Sequence, residues 1–432
     1  MRGYGPKNVG IRFTAARLTH FGGLPLLHRY FQALDLRRVL TRRVRFAQRN
    51  NRYSIGESFL ALLYPMILGI GRIETTRLLQ HNGVFQYLTG LPTYPDAQTI
   101  RRFLTRFGES GLTAFLKLHD KFRRRWIGRP NIPPSMTLDF DTTVLTVYGK
   151  QEGSAIGYNP KKRGRPSYLP FLCFDGATGD CWEATYHPGD KHPGGVFQLI
   201  FERAFAKIPK YVREVRVRAD AAFYDREIIA FIEAKSAFYA IVAKLTVPLK
   251  ARVTAARYRR VSGSVFAAEF RYHPQGWPGP RRFVAIRRLV QDEPSYQLTL
   301  WKMGKYNYQV MVTNLNLTPL NLWRFYNDRA RAELVIRELK DGYAMGKIPT
   351  GDWAANEAYF QLVVFAYNLL GWFKRTCVPE EWKRLTMQTI RNRLLLIPAE
   401  LTRPGGRPVL KMPLGYPYKR EYMKTLRAVG RL

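Results

Sequence analysis

An α/β fold is predicted: a mixed β-sheet flanked by helices, with a β-rich insertion and helical regions at both ends. Three observations predict it. The chain has 432 residues, 46% of them hydrophobic, enough for a sizeable core and about two or three structural units. Helical periodicity prevails up to about residue 130 and gives way, after IPPSM (Ile132–Met136), to alternation of period two. Beyond that point strands and helices interleave, as in a sheet covered on both faces.

Residues 1–130 are expected to be a helical domain. FLALLYPMILGI (Phe59–Ile70) is too short to span a bilayer and contains Pro65, so it is expected as a core helix interrupted by proline. TTRLLQHNGVFQYL is followed by TGLPTYPDAQTIRRFLTRF, where Asp96 can cap a helix bearing Gln98, Arg101, Arg102 and Arg106. Helix, turn, basic helix fits a DNA-reading helix-turn-helix with Arg101 and Arg102 on the nucleic acid. It fits equally an ordinary helical hairpin with a solvated basic face.

Residues 135–247 are expected to start the core. MTLDFDTTVLTV, SYLPFLCFD and DCWEATYH read as strands, GGVFQLIFERAFAKI as a helix, VREVRVRAD as a strand, YDREIIAFIEAK as a helix and AFYAIVAKL as a strand. Three strands, helix, strand, helix, strand is the order of an RNase H-like core. Residues 248–314 interrupt it: VFAAEFRYH, RRFVAIRRLV, YQLTLW and YNYQVMVTNL alternate like strands and are expected as an inserted β-subdomain. Residues 315–375 return to helix. One begins at Thr318–Pro319 and is expected to run to about Gly342, and ANEAYFQLVVFAYNLLGWFKR is another. Residues 376–432 are a basic C-terminal region for DNA or dimer contacts; the final 32 carry 8 Lys+Arg and 1 Asp+Glu.

The formal net charge is +38, and residues 1–130 hold 23 Lys+Arg against 6 Asp+Glu. A polyanion relieves such self-repulsion, and nucleic acid is the expected one, since each cation placed at a phosphate releases counterions. The aromatic content of 14% argues against a disordered basic tail. MRGYGPKNVGIRFT lacks an apolar signal region, and Cys173, Cys181 and Cys377 have no metal-type spacing. A cytoplasmic protein associated with DNA and not with membrane is expected.

In so basic a chain, LDFDTTVLTVYG (Leu138–Gly149) places Asp139 and Asp141 on one face of an apolar strand. Buried carboxylates need cations, from arginine or a divalent metal. Asp220 ends a different strand, which in the expected topology lies beside the first. In YNDRARAELVIRELK, Tyr326, Arg329, Glu333 and Lys340 fall within a stripe of about 60° on a helical wheel, beside a core face of Ala332, Val335, Ile336 and Leu339. Glu338 points elsewhere, as a solvated acid.

The spacing Tyr-x2-Arg-x3-Glu-x6-Lys at Tyr326, Arg329, Glu333 and Lys340 resembles the signature of bacterial insertion-sequence DDE transposases. DFDTT and RADAAFYD resemble that family's first and second acidic segments, and QEGSAIGYNPKKRGRPSYLP and AANEAYFQLVVFAYNLLGWF resemble one of its branches, so the resemblance covers roughly residues 135–375. It implies Asp141, Asp220 and Glu333 as catalytic, metal-binding acids, 79 and 113 residues apart along the chain. The second gap suits a branch with a β-insertion before the glutamate. It further implies two Mg²⁺ or Mn²⁺ ions per site, which stabilise the attacking and leaving oxygens of a phosphodiester. Implied partners are terminal inverted repeats, target DNA and a second copy in a synaptic dimer. The implied reaction is cut-and-paste through a hairpin; an endonuclease without strand transfer and a catalytically silent DNA-binding regulator are the alternatives. Tyr326, Arg329 and Lys340 would then contact the element's end. Thr142 following Asp141 favours Asp141 over Asp139 as first ligand.

Three further segments bear on binding. KKRGRP contains Lys161, Lys162, Arg163 and Arg165 around Arg-Gly-Arg-Pro, expected as a loop on DNA backbone or as a minor-groove hook. His187, Asp190 and His192 lie in a Pro/Gly loop, solvated or facing DNA rather than a metal site. Trp301 and Trp323 are core residues or wedges for a distorted DNA end.

Overall fold

The computed structural model describes residues 9–47, 52–127, 134–289 and 301–432. Ile132 and Pro133 of the boundary segment IPPSM and all of the strand expected at YQLTLW except Trp301 lie outside them. The chain divides into two compact units, one of residues 1–106 with 372–432 and one of residues 107–371.

In the first unit, β1 (Leu18–Thr19) is followed by helices α1 (Leu24–Ala33), α2 (Leu36–Arg43), α3 (Ile55–Leu68), α4 (Arg77–Gln80) and α5 (Gly83–Thr89). Next comes α6 (Ala97–Ile127), which belongs to the first unit up to Arg106 and to the second from Phe107, and whose course breaks at Gly108, with a φ of 58°. Ser54 and Glu57 form a reciprocal cap at the start of α3. The interruption expected at Pro65 does not occur, for α3 continues through it to Leu68. Proline removes the N–H that would bond to the Ala61 carbonyl, and the Tyr94 hydroxyl donates to that oxygen instead, at 2.5 Å. Tyr94→Phe leaves the carbonyl buried without this donor and is expected to cost about 1–3 kcal/mol, read from urea unfolding.

The second unit is built on a sheet of ten strands among the described residues. Its elements are β2 (Ser135–Thr142), β3 (Leu145–Thr146), β4 (Ala155–Ile156), β5 (Pro166–Tyr168), β6 (Phe171–Asp175), β7 (Cys181–Thr185), α7 (Pro193–Phe205), β8 (Glu214–Ala219), α8 (Arg226–Ala234), β9 (Phe238–Val242) and α9 (Val247–Thr254). Then come β10 (Arg259–Ser262), β11 (Val265–Tyr272), β12 (Arg281–Leu289), β13 (Trp301–Met303), β14 (Tyr306–Thr313), α10 (Pro319–Asn327), α11 (Ala330–Gly342) and α12 (Trp353–Cys377). The central order is β10-β11-β12-β14-β9-β8-β2-β6-β7, with β13 beside β14. Strand β2 runs antiparallel to β6 and parallel to β8, and β8 runs parallel to β9. The insertion strands join the same sheet through β14 on β9.

Two long strands expected from the sequence are each divided. MTLDFDTTVLTV splits because the chain leaves the sheet after Thr142, where Thr143 N–H donates to Pro170 O, and β3 pairs with β5 instead. SYLPFLCFD splits at Leu169–Pro170, between β5 and β6. The small sheet β3-β5-β4 results.

Alternation along β2 sends Leu138 and Phe140 to one face, into a core with Phe197 and Phe201 of α7 and Ile228 and Ile232 of α8. A second core gathers Val242, Val284 and Met311 with Leu322 and Tyr326 of α10. The single helix expected to run to Gly342 is instead two. Around Asp328 and Arg329 the backbone bonds Arg329 N–H to Tyr326 O and Ala332 N–H to Arg329 O tighten the turn to three residues.

The C-terminal residues belong to the first unit. They include α13 (Met387–Ile390), β15 (Ala399–Thr402), β16 (Val409–Lys411) and α14 (Lys419–Val429), and β1 pairs with β15. Buried Arg391 donates from Nε to Ile67 O of α3 at 2.7 Å.

Candidate active site

Parallel pairing sets the position of two acids. Phe140 of β2 lies opposite Ala219 of β8, the last pair of that ladder. Asp141 and Asp220 each follow immediately, so they stand at neighbouring strand ends. Asp220 also accepts from Ala222 N–H at 2.9 Å, and this turns the chain into the next short helix. Glu333 is presented by α11 with its side chain 69% exposed.

Arg329 links Asp141 and Glu333. It is 4% exposed, and its guanidinium meets Asp141 at 2.9 Å, Glu333 at 3.4 Å and the Phe140 carbonyl at 3.2 Å. Burial alone would lower its pKa; Asp141, Tyr326 and Asp220 outweigh that and raise it. Its Nε is buried without a hydrogen-bond partner. The Asp141 carboxyl is raised to about 6, first by burial, with Asp220 and Glu333 adding and Arg329 and the Thr142 N–H opposing. Three carboxylates therefore share one electrostatic neighbourhood.

Asp139 has a different role. It is 1% exposed and receives two bonds from Arg218, at 2.6 and 2.8 Å, while Arg218 also donates to Phe325 O at 2.6 Å. Both its oxygens are engaged with the neighbouring strand. Arg218 escaped sequence reasoning, although the alternation VRVRA put it on the same sheet face as an unpartnered acid.

Tyr326 is 6% exposed, packed in the second core, and its hydroxyl is pushed up to about 12, chiefly by burial. Tyr326 and Arg329 thus face the acids, not solvent. Lys340 is half-buried and donates to Val144 O at 3.0 Å; burial and then Lys161 lower its pKa. Glu338 is half-buried, not fully solvated. Lys161, Lys162, Arg163 and Arg165 are exposed between β4 and β5. In the other unit, Asp96 accepts from Thr99 N–H at 2.6 Å as expected of a cap, Arg101 is ion-paired with Glu74, and Arg102 is exposed. His192 caps α7. Trp323 donates to Gln309 at 2.9 Å and Trp301 packs on Tyr308, both against the cores.

Among the described residues no three His, Cys, Asp or Glu side chains are already gathered as a metal cage. The donor set nevertheless fits a hard divalent cation. It is all carboxylate oxygen, and Asp220 and Glu333 both act on the Asp141 carboxyl, with the Arg329 charge opposing them. No helix among the described residues is long and apolar enough to cross a membrane.

Two acids at neighbouring strand ends and a helix-borne glutamate thus lie close together on a mixed sheet. A model of the family "Transposase DDE domain group 1" matches residues 2–432, and the chain belongs to that family: it is a DDE-type transposase. No curated protein matches the chain. Among solved structures it is similar to the piggyBac transposase in a cryo-EM synaptic complex with hairpin DNA, at 11% identity, over 86% of this chain and 79% of that one, with a TM-score of 0.49.

Proposed function

We propose that this transposase moves an insertion sequence by cut and paste, on an RNase H-like core whose catalytic acids are Asp141, Asp220 and Glu333. The convergence of Asp141 and Glu333 on Arg329, from residues far apart in the chain, is the observation that supports it most. These three acids would hold two Mg²⁺ or Mn²⁺ ions, which, when bound, stabilise charge on the attacking and leaving oxygens. Arg329 positions Asp141 through its ion pair. Lys340 and the loop Lys161–Arg165 grip phosphates of the element's end, and the exposed arginines of the helical unit, Arg102 among them, bind the terminal inverted repeat. Water hydrolyses one strand at the element's end and frees a 3′-OH. This attacks the opposite strand, breaking that phosphodiester and releasing the flanking DNA as the hairpin forms. A second water opens the hairpin and restores the 3′-OH, which then attacks a target phosphodiester. Pairing of two ends requires at least a dimer on DNA.

The test is a duplex carrying the element's own end, incubated with the protein with and without Mg²⁺. Metal-dependent nicking, then hairpin, then joined target are the expected products. Binding with no cutting in Mg²⁺, or in Mn²⁺ put in its place, overturns the reading in favour of a DNA-binding regulator.

The raised Asp141 carboxyl gives the reaction a pH dependence. A carboxyl held up to about 6 is neutral below that pH and charged above it. Proton and metal compete for this carboxyl, so metal affinity is expected to fall as pH is lowered from 7, and the midpoint of the cleavage-rate profile is expected to move to lower pH as Mg²⁺ is raised, in a single-turnover assay.

A further inference from the structure

The small sheet β3-β5-β4 starts three residues beyond Thr142 and is joined to the active-site helix by the Lys340–Val144 bond. It is firmly braced. Asn159, 5% exposed, donates to Thr146 Oγ1 at 3.0 Å and accepts from Lys162 N–H at 3.1 Å. The Tyr168 hydroxyl donates to Glu152 O at 2.6 Å, and the ring of Trp353 packs on Tyr168 with centroids 5.4 Å apart. A Cβ at Gly153, whose φ is 68°, would meet that same indole at 2.3 Å.

On this braced frame two large rings stand in water. Tyr148 is 71% exposed and Tyr158 is 83% exposed. Tyr148 has the Arg165 guanidinium above it at 5.9 Å, and exposed Lys161, Lys162 and Arg163 adjoin them in the chain. Exposed aromatic faces among cations suit one partner in particular. An intact duplex offers groove edges and phosphates, its base faces being covered by stacking. An unpaired strand offers base faces and phosphates together.

We propose that the small sheet is a stacking platform for unpaired nucleotides of the DNA end beside the cut, with Tyr148 and Tyr158 on the base faces and Arg163 and Arg165 on the phosphates. This rests on the DNA-transposition reading and adds a positioning function that the acids do not supply.

The experiment uses the full chain carrying Glu333→Gln, so that binding is read without cleavage. Two duplexes from the element's end are compared, one fully paired and one with its last few nucleotides unpaired and labelled with 2-aminopurine. Tyr148→Ala with Tyr158→Ala is expected to weaken binding to the unpaired end by roughly tenfold or more. Affinity for the paired duplex should stay within about twofold. The parent should quench the 2-aminopurine and the alanine variant should not. Tyr148→Phe with Tyr158→Phe should behave as the parent, because the rings and not the hydroxyls make the contact. Circular dichroism and melting of each variant report the fold. Equal binding of the alanine variant and parent to the unpaired end overturns the platform. So does equal loss on both duplexes, and so does a phenylalanine variant that fails like alanine. If the parent holds neither DNA, the transposition reading fails, and the platform with it.

Discussion

Asp141→Asn is expected to slow cleavage of the element's end by about a thousandfold or more while DNA affinity is kept. The change keeps shape and removes the charge at the end of β2, where Asp220 and Glu333 add to the same negative field. Glu333→Gln is expected to do the same. Single-turnover rates on a labelled duplex, with binding measured in parallel, provide the check. If Asp141→Asn cuts at the parental rate, Asp141 is not a ligand of the catalytic metal, and the roles of the two strand acids must be reassigned.

The second large effect is on stability. Asp139→Ala would leave Arg218, 3% exposed, with its charge buried and, among the described residues, the Phe325 carbonyl as its remaining hydrogen-bond acceptor and the Phe325 ring beneath it. A buried pair broken on one side costs about 3–5 kcal/mol. Urea unfolding is expected to show a loss of that order, and Arg218→Met added to Asp139→Ala is expected to restore part of it, since no charge then remains unpaired. A loss below about 0.5 kcal/mol would show that the pair contributes little. Together the two predictions separate acids two residues apart on one strand, one for chemistry and one for architecture.

The strand DFD shows what could be read from sequence and what could not. Period-two alternation was enough to place both aspartates on one sheet face, and the order of elements was enough to set β8 beside β2. What Asp139 pairs with could not be read from spacing, because its partner Arg218 is 79 residues away on β8. The Tyr-Arg-Glu-Lys stripe was legible as a set. Its helix was not legible as two pieces, since the wheel assumes an unbroken period of 3.6 and the turn at Asp328–Arg329 tightens to three. For Arg329 the wheel gives a place at the edge of the core face, and the resemblance implies contact with the DNA end. The burial of Arg329 depends on Phe140 and Asp141, which no local pattern connects to it. Pro65 misled for a related reason: the donor that compensates it comes from Tyr94, on another segment.

The Arg329–Phe140 hydrogen bond joins residues 189 positions apart. A ribosome has therefore finished Asp141 and Asp220 long before Arg329 and Glu333 leave its exit tunnel. Until then the nascent chain has strand acids but neither the arginine that holds one of them nor the third carboxylate. A message broken or terminated anywhere upstream of codon 329 yields a fragment with an incomplete cutting centre. On the proposed assignment of the acids, the order of synthesis holds back cutting until Glu333 has been made.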